Sequence, residues 1–143
     1  MGLDMYLYRR SYTRGIGAGS NKQVVFGVEI VPANVKYIIE EVAYWRKANA
    51  IHKWFVDNVQ NGEDDCGEYF ASREKLESLV QICKTLKEFP ETAKNYLPPQ
   101  EGFFFGSTSI DDLYWEDIDD TIEQIERVLT TYSDDNFFYQ SSW

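Results

Sequence analysis

Hydrophobic residues recur along this chain in two periods, and their alternation predicts an α+β fold: a small, mostly antiparallel sheet packed against about three to four helices. Leu3 to Arg9 alternates around Met5 and Leu7 and reads as a short strand. Ser11 to Gln23 holds three glycines and several polar residues, which predicts a loop. Val24 to Val31 is rich in β-branched residues and stops at Pro32, which predicts a second strand. Val35 to Trp45 fits two templates. Val35, Ile38, Ile39 and Val42 match a helical face, whereas the β-branched and aromatic content favours a strand. We read it as a strand paired with Val24–Val31 through the turn Pro32-Ala33-Asn34.

The second half of the pattern is helical. From Arg46 to Gln60, Trp45, Ala48, His52, Phe55, Val56 and Val59 share one face at 100° per residue, and Asn61-Gly62 supplies a stop. Glu68 to Ala71 reads as a short strand. Ser72 is a good N-cap for a helix to about Glu88 that buries Leu76, Leu79, Val80, Cys83 and Leu86. Pro90, Pro98 and Pro99 bracket a short helix or turn around Ala93. Gly102-Phe103-Phe104-Phe105-Gly106 reads as a buried strand, Asp111 to Tyr132 as the longest helix and Asn136 to Ser142 as a terminal strand. Trp143 is expected to pack against the fold, with its carboxylate near Arg46, Lys47 or another basic residue of the N-terminal half. Residues 1–143 are expected to form one domain.

Charge divides the chain. Residues 1–56 carry eight Lys/Arg against four Asp/Glu and residues 57–143 carry six against twenty, so the halves stand at +4 and −14 within the net −10. Val42 to Val56 contains no acid at all and includes Tyr44-Trp45-Arg46-Lys47 and His52-Lys53-Trp54. A cationic, aromatic patch beside a strongly acidic helix suggests a protein built to bind something. Cys66 and Cys83 have neither CxxC spacing nor histidine neighbours, so reduced thiols of a cytoplasmic protein are expected. No signal peptide, membrane span or myristoylation signal is expected. No metal or cofactor is implied.

The candidate chemistry is sparse. Gly15-x-Gly17-x-Gly19 resembles a phosphate loop in composition only, because it leads into a strand where such loops need a helix N-terminus. His52 is the sole histidine and lies on the apolar face of its helix, where a core residue with a satisfied ring is expected. An enzyme would have to use it with Asp64, Asp65 or Cys66, and the acids beside Cys66 oppose a thiolate. Asn61 to Gly67 lacks the spacing of a calcium loop.

Two surfaces stand out. Asp112, Glu116, Asp119, Glu123 and Glu126 recur at steps of four and three in one acidic stripe with Asp120 beside it, roughly 130° from Trp115, Ile118, Ile122, Ile125 and Leu129. Acids suit the helix start, but later like-charge pairs cost about 0.2–0.5 kcal/mol each. The stripe is either a solvated face or a surface for a basic partner. On the helix from Arg46, Arg46, Asn49 and Lys53 line one edge while Trp54 points away from the apolar face. Either a neighbouring element covers Trp54, or Tyr44, Trp45, Arg46, Lys47, Asn49, Lys53 and Trp54 hold a planar anionic ligand such as a nucleotide.

Several segments together resemble a family of small phage and prophage proteins. They are Gly2-Leu3-Asp4-Met5-Tyr6-Leu7, the block from Tyr44 to Val56, Asn61 to Gly67, Gly102 to Thr108, and Tyr139-Gln140-Ser141-Ser142-Trp143. Some members carry a phosphoglycerate-kinase label, which 143 residues are too few to fulfil as that two-domain enzyme. The resemblance implies a mobile-element origin and a place in the bacterial cytoplasm. The expectation is therefore a non-enzymatic binding protein that acts on a host protein, a nucleic-acid-binding one among the candidates, as an inhibitor of anti-phage defence through the acidic helix. The rivals are a binder of an anionic small molecule and a small enzyme built on His52. Direct nucleic-acid binding and membrane association are not expected.

Overall fold

The computed structural model describes residues 2–13, 19–102 and 105–143. Its elements are β1 (Asp4–Tyr12), β2 (Gln23–Val25), β3 (Val28–Ile30), β4 (Tyr37–Arg46), α1 (Asn49–Asn58), β5 (Tyr69–Phe70), α2 (Arg73–Glu88), α3 (Ala93–Tyr96), α4 (Asp112–Thr131) and β6 (Phe137–Ser142). A four-stranded antiparallel sheet in the order β4-β1-β6-β5 carries the helices on one face, and β2-β3 form a separate hairpin. The fold is α+β, as the two periods predict.

The sheet assembles through alternation. Met5 and Leu7 of β1, Ala43 and Trp45 of β4, and Phe137 and Tyr139 of β6 point inward and are buried. Against them lie Ile51 and Phe55 of α1, Leu76, Leu79, Cys83 and Leu86 of α2, and Ile118, Ile125 and Val128 of α4, in one core. The helix boundaries follow local chemistry. Ser72 Oγ accepts the Lys75 amide at 3.2 Å to start α2, and Asp111 Oδ1 accepts the Tyr114 amide at 3.2 Å to start α4. Gly62, at φ +83°, lies just beyond the end of α1, as its sequence position suggests.

Three expectations are corrected, and the open choice at Trp54 falls to the covered reading. Val24–Val31 is a tight hairpin folded at Phe26-Gly27, both at positive φ, and β4 pairs with β1 instead of with this segment. Its inward pair Ala43 and Trp45 completes the β1 face, whereas the hairpin buries none of its side chains and leaves Val24, Phe26 and Val28 exposed. Arg46 ends β4, and Lys47 at φ +55° turns the chain so that α1 begins only at Asn49. Trp54 is 5% exposed, because α1 is buried on nearly all sides. Phe105 and Gly106 lie outside any strand, and Phe103 and Phe104 of the expected strand fall outside the described residues, as does most of the glycine loop at 14–18.

The buried face of α4 is also rotated from the expected stripe. Tyr114, Ile118, Thr121, Gln124, Ile125 and Val128 are buried, while Trp115, Ile122 and Leu129 are only partly so. Thr121 and Gln124 face the sheet because they serve it. Thr121 Oγ1 accepts the Trp45 indole N–H at 3.0 Å, and Gln124 grips both backbone groups of Tyr44 at 2.8 and 2.7 Å.

Candidate functional site

A cleft of about 310 Å³ opens between the β4–α1 corner, the 106–111 loop and the first turns of α4. Arg46 and Lys47 stand on one wall, Ser107 and Ser109 on the loop, and Asp111 and Asp117 along α4. The corner is fixed by backbone chemistry: the Lys47 amide donates to Leu3 O at 2.8 Å, and the Asn49 amide to Lys47 O at 2.9 Å. Gly106, at φ +87°, passes so close that an added Cβ would sit 3.3 Å from Lys47 Cβ. A side chain there is both strained and crowded.

Asn49 holds the loop in place. Its amide N–H groups donate to Phe105 O at 3.0 Å and Ser107 O at 2.8 Å, and its Oδ1 accepts the Gln100 amide at 3.0 Å. With its hydrogen-bonding groups so engaged and only 6% of its surface exposed, Asn49 shapes the cleft.

Arg46 and Lys47 are exposed and form no ion pair among the described residues. The expected pairing with the terminal carboxylate is therefore not made. Across the cleft, half-buried Asp117 makes no side-chain hydrogen bond among the described residues. Burial, reinforced by Asp120, Glu116 and Asp111, pushes its carboxyl up to about 7. Sequence reasoning passed over Asp117 because it lies in an acidic helix. On the helical wheel, however, it shares the side of Tyr114 and Thr121, and an acid on a buried face is the signal that was present.

The remaining ligand candidates are dispersed. Trp45 is 2% exposed and committed to Thr121, and buried Trp54 stacks edge-on against Phe55 at 5.2 Å, so neither offers a face to a planar ligand. Tyr44 lies on the outer sheet face with its hydroxyl on Asp4. Lys53 pairs with Asp57 at 2.6 Å and lines a separate cavity of about 250 Å³ with Trp54 and the 95–98 segment, Ala50 standing between the two cavities.

The acidic stripe is partly neutralised from a neighbouring helix. Lys87 of α2 pairs with Asp119 at 2.7 Å, and Lys84 of α2 pairs with Glu126. Arg127 reaches Glu123 at 3.7 Å. Asp112, Glu116 and Asp120 make no ion pair among the described residues, and Asp120 accepts from Gln124 at 2.8 Å.

His52 is fully buried, with both ring nitrogens bonded: Nδ1 to the Tyr139 hydroxyl at 2.7 Å and Nε2 to Asp64 Oδ2 at 3.0 Å. A carboxylate only accepts, so Nε2 carries the proton, and Tyr139 must donate to Nδ1. Burial lowers the His52 pKa and outweighs the pull of Asp64, which fits this neutral tautomer. Burial also raises Tyr139 well above its ordinary value and keeps its O–H in place. Asp64 Oδ1 accepts the Trp143 indole N–H at 3.1 Å, while Trp143 itself is 48% exposed and meets Phe105 edge-on. The network ties α1, the 61–67 loop and β6 together. Asp64 is thus within reach of His52, but no described cavity opens on the ring. Asp65 is engaged by the Gly67 amide and Tyr69, and both ring nitrogens of His52 are taken by Tyr139 and Asp64, so half-buried Cys66 makes no hydrogen bond to the ring.

No helix among the described residues is long and apolar enough to cross a membrane. No family model, curated protein or solved structure matches this chain.

Proposed function

We propose that this is a binding protein whose cleft takes a small ligand through an anionic group, carboxylate or phosphate, held by Arg46 and Lys47. The observation that carries this reading is two cations without ion-pair partners among the described residues, at the rim of a formed cleft whose loop is fixed by a buried asparagine. Arginine presents a planar fork suited to either oxyanion, and lysine adds a mobile point charge. Ser107 and Ser109 supply further donors on the same cleft. The proposal needs no stacking platform, since both tryptophans of the block are buried. Calorimetric titration with ethyl phosphate and with butyrate tests it. Saturable binding that is lost in Arg46→Ala/Lys47→Ala is expected, and no binding of either probe by the parent protein would refute it.

A second reading rests on Asp112, Glu116 and Asp120 of α4, which have no cationic partner among the described residues. They would receive a basic surface of a host protein, in keeping with the resemblance to phage and prophage proteins and with inhibition of a defence system. Asp112→Asn/Glu116→Gln/Asp120→Asn should then weaken salt-sensitive binding of a lysine-rich peptide. Equal affinity in parent and variant would leave the face a solubilising one.

A further inference from the structure

The cleft of the preceding section is lined by charges of both signs that avoid one another. Arg46 and Lys47 come from the β4–α1 corner, Asp111 and Asp117 from α4, and no cation–carboxylate pair among these four lies within ion-pairing distance. The backbone of the corner is fixed by the left-handed conformation of Lys47 and its bond to Leu3, and the loop by Asn49, while the side chains of Arg46 and Lys47 stay exposed. Asp111 is engaged as the α4 N-cap, which leaves Asp117 as the carboxyl open to a guest.

We propose that the cleft selects a dipolar small molecule, with its carboxylate or phosphate on Arg46 and Lys47 and its ammonium group on Asp117. This rests on the anion-binding reading above and specifies the class of ligand. Asp117 sits near Asp111, Glu116 and Asp120 on its own helix, with no cation paired to it among the described residues. The field of these acids attracts a positive group to that end, and the same field repels a guest that is anionic at both ends. The volume of about 310 Å³ suits a guest of amino-acid size. Leu113, 63% exposed, and the edge of Tyr114 supply apolar surface on the same cleft.

The test uses two pairs of probes matched in size: phosphoethanolamine with ethyl phosphate, and 4-aminobutyrate with butyrate. Each is titrated by calorimetry into the parent protein, Asp117→Asn and Arg46→Ala/Lys47→Ala. The dipolar member of at least one pair should bind about tenfold or more tightly than its anionic partner, the gain expected of one charge-assisted hydrogen bond. Asp117→Asn should abolish that advantage while leaving the anionic probe within about twofold, and its far-UV spectrum and melt confirm folding. Comparable binding of both members, unaltered by Asp117→Asn, would overturn the dipolar assignment and leave the anion site standing. Failure of all four probes to bind would overturn both. The pair that binds tells carboxylate from phosphate.

Discussion

Replacing His52 by Leu probes the most deeply buried polar contact in the molecule. The ring is fully buried and joins Tyr139 to Asp64, so the change removes two hydrogen bonds without opening a large cavity. Tyr139, also fully buried, would keep an O–H with no acceptor, at a cost of about 1–3 kcal/mol. Asp64 is partly solvated and retains Trp143, so its loss is smaller, about 0.5–1.5 kcal/mol. The sum, about 2–4 kcal/mol, corresponds to a fall in Tm of about 6–15 °C at this chain length. Tyr139→Phe alone should be destabilising as well, because it orphans Nδ1. Combining the two removes both polar partners, so the double variant should be less destabilised than the two single losses combined, with a coupling of about 1–3 kcal/mol. Urea unfolding of the four proteins closes the cycle. Additivity within about 0.5 kcal/mol, or an unchanged Tm in His52→Leu, would refute a coupled network.

Three other outcomes are expected. Asp117→Asn should flatten the pH dependence of stability: a native carboxyl raised from 3.8 to about 7 favours the folded state at low pH, and that contribution is lost as pH rises from about 4 to 7. The parent should lose roughly 1–2 kcal/mol more than the variant between pH 5 and 8, well below the full shift because Asp117 is only half-buried, and parallel melting curves would contradict this. Trp143→Ala should cost about 1–2 kcal/mol by half-burial and one exposed hydrogen bond, and an unchanged Tm would show the indole to be free. Gly106→Ala should cost at least about 1 kcal/mol through its positive φ and its approach to Lys47, and should weaken probe binding, whereas an unperturbed titration would show that the loop adjusts freely.

What the sequence made legible was local. Ser72 and Asp111 announce their helices because a cap is a contact three residues long. The hydrophobic alternation of β1 and the docking of the terminal strand were readable in the same way. The partner of β4 was not, because it depends on Ala43 and Trp45 meeting Leu7 and Met5 across about 40 residues, and the nearby Pro32 turn offered a cheaper pairing. The choice at Trp54 stayed open because a wheel with one apolar face assumes a helix with a wet side, and α1 has almost none. The lysines that neutralise Asp119 and Glu126 sit on α2, more than 30 residues away, and no spacing on α4 discloses them. Of the site, Arg46 and Lys47 were visible as unopposed charge. Asn49 was picked out but as a ligand-binding group, whereas it shapes the loop. Ser107 and Ser109 enter only through the fold, and Asp117 had a helical-wheel signal that the surrounding acids masked.

Whether Arg46 and Lys47 form the anion end of a working cleft is decided by amide chemical-shift mapping of isotope-labelled protein titrated with ethyl phosphate. Saturable shifts should cluster at residues 46–51, 106–111 and 113–118, and Arg46→Ala/Lys47→Ala should erase them. Shifts that fail to saturate in those segments, or that persist unchanged in the variant, would contradict that role.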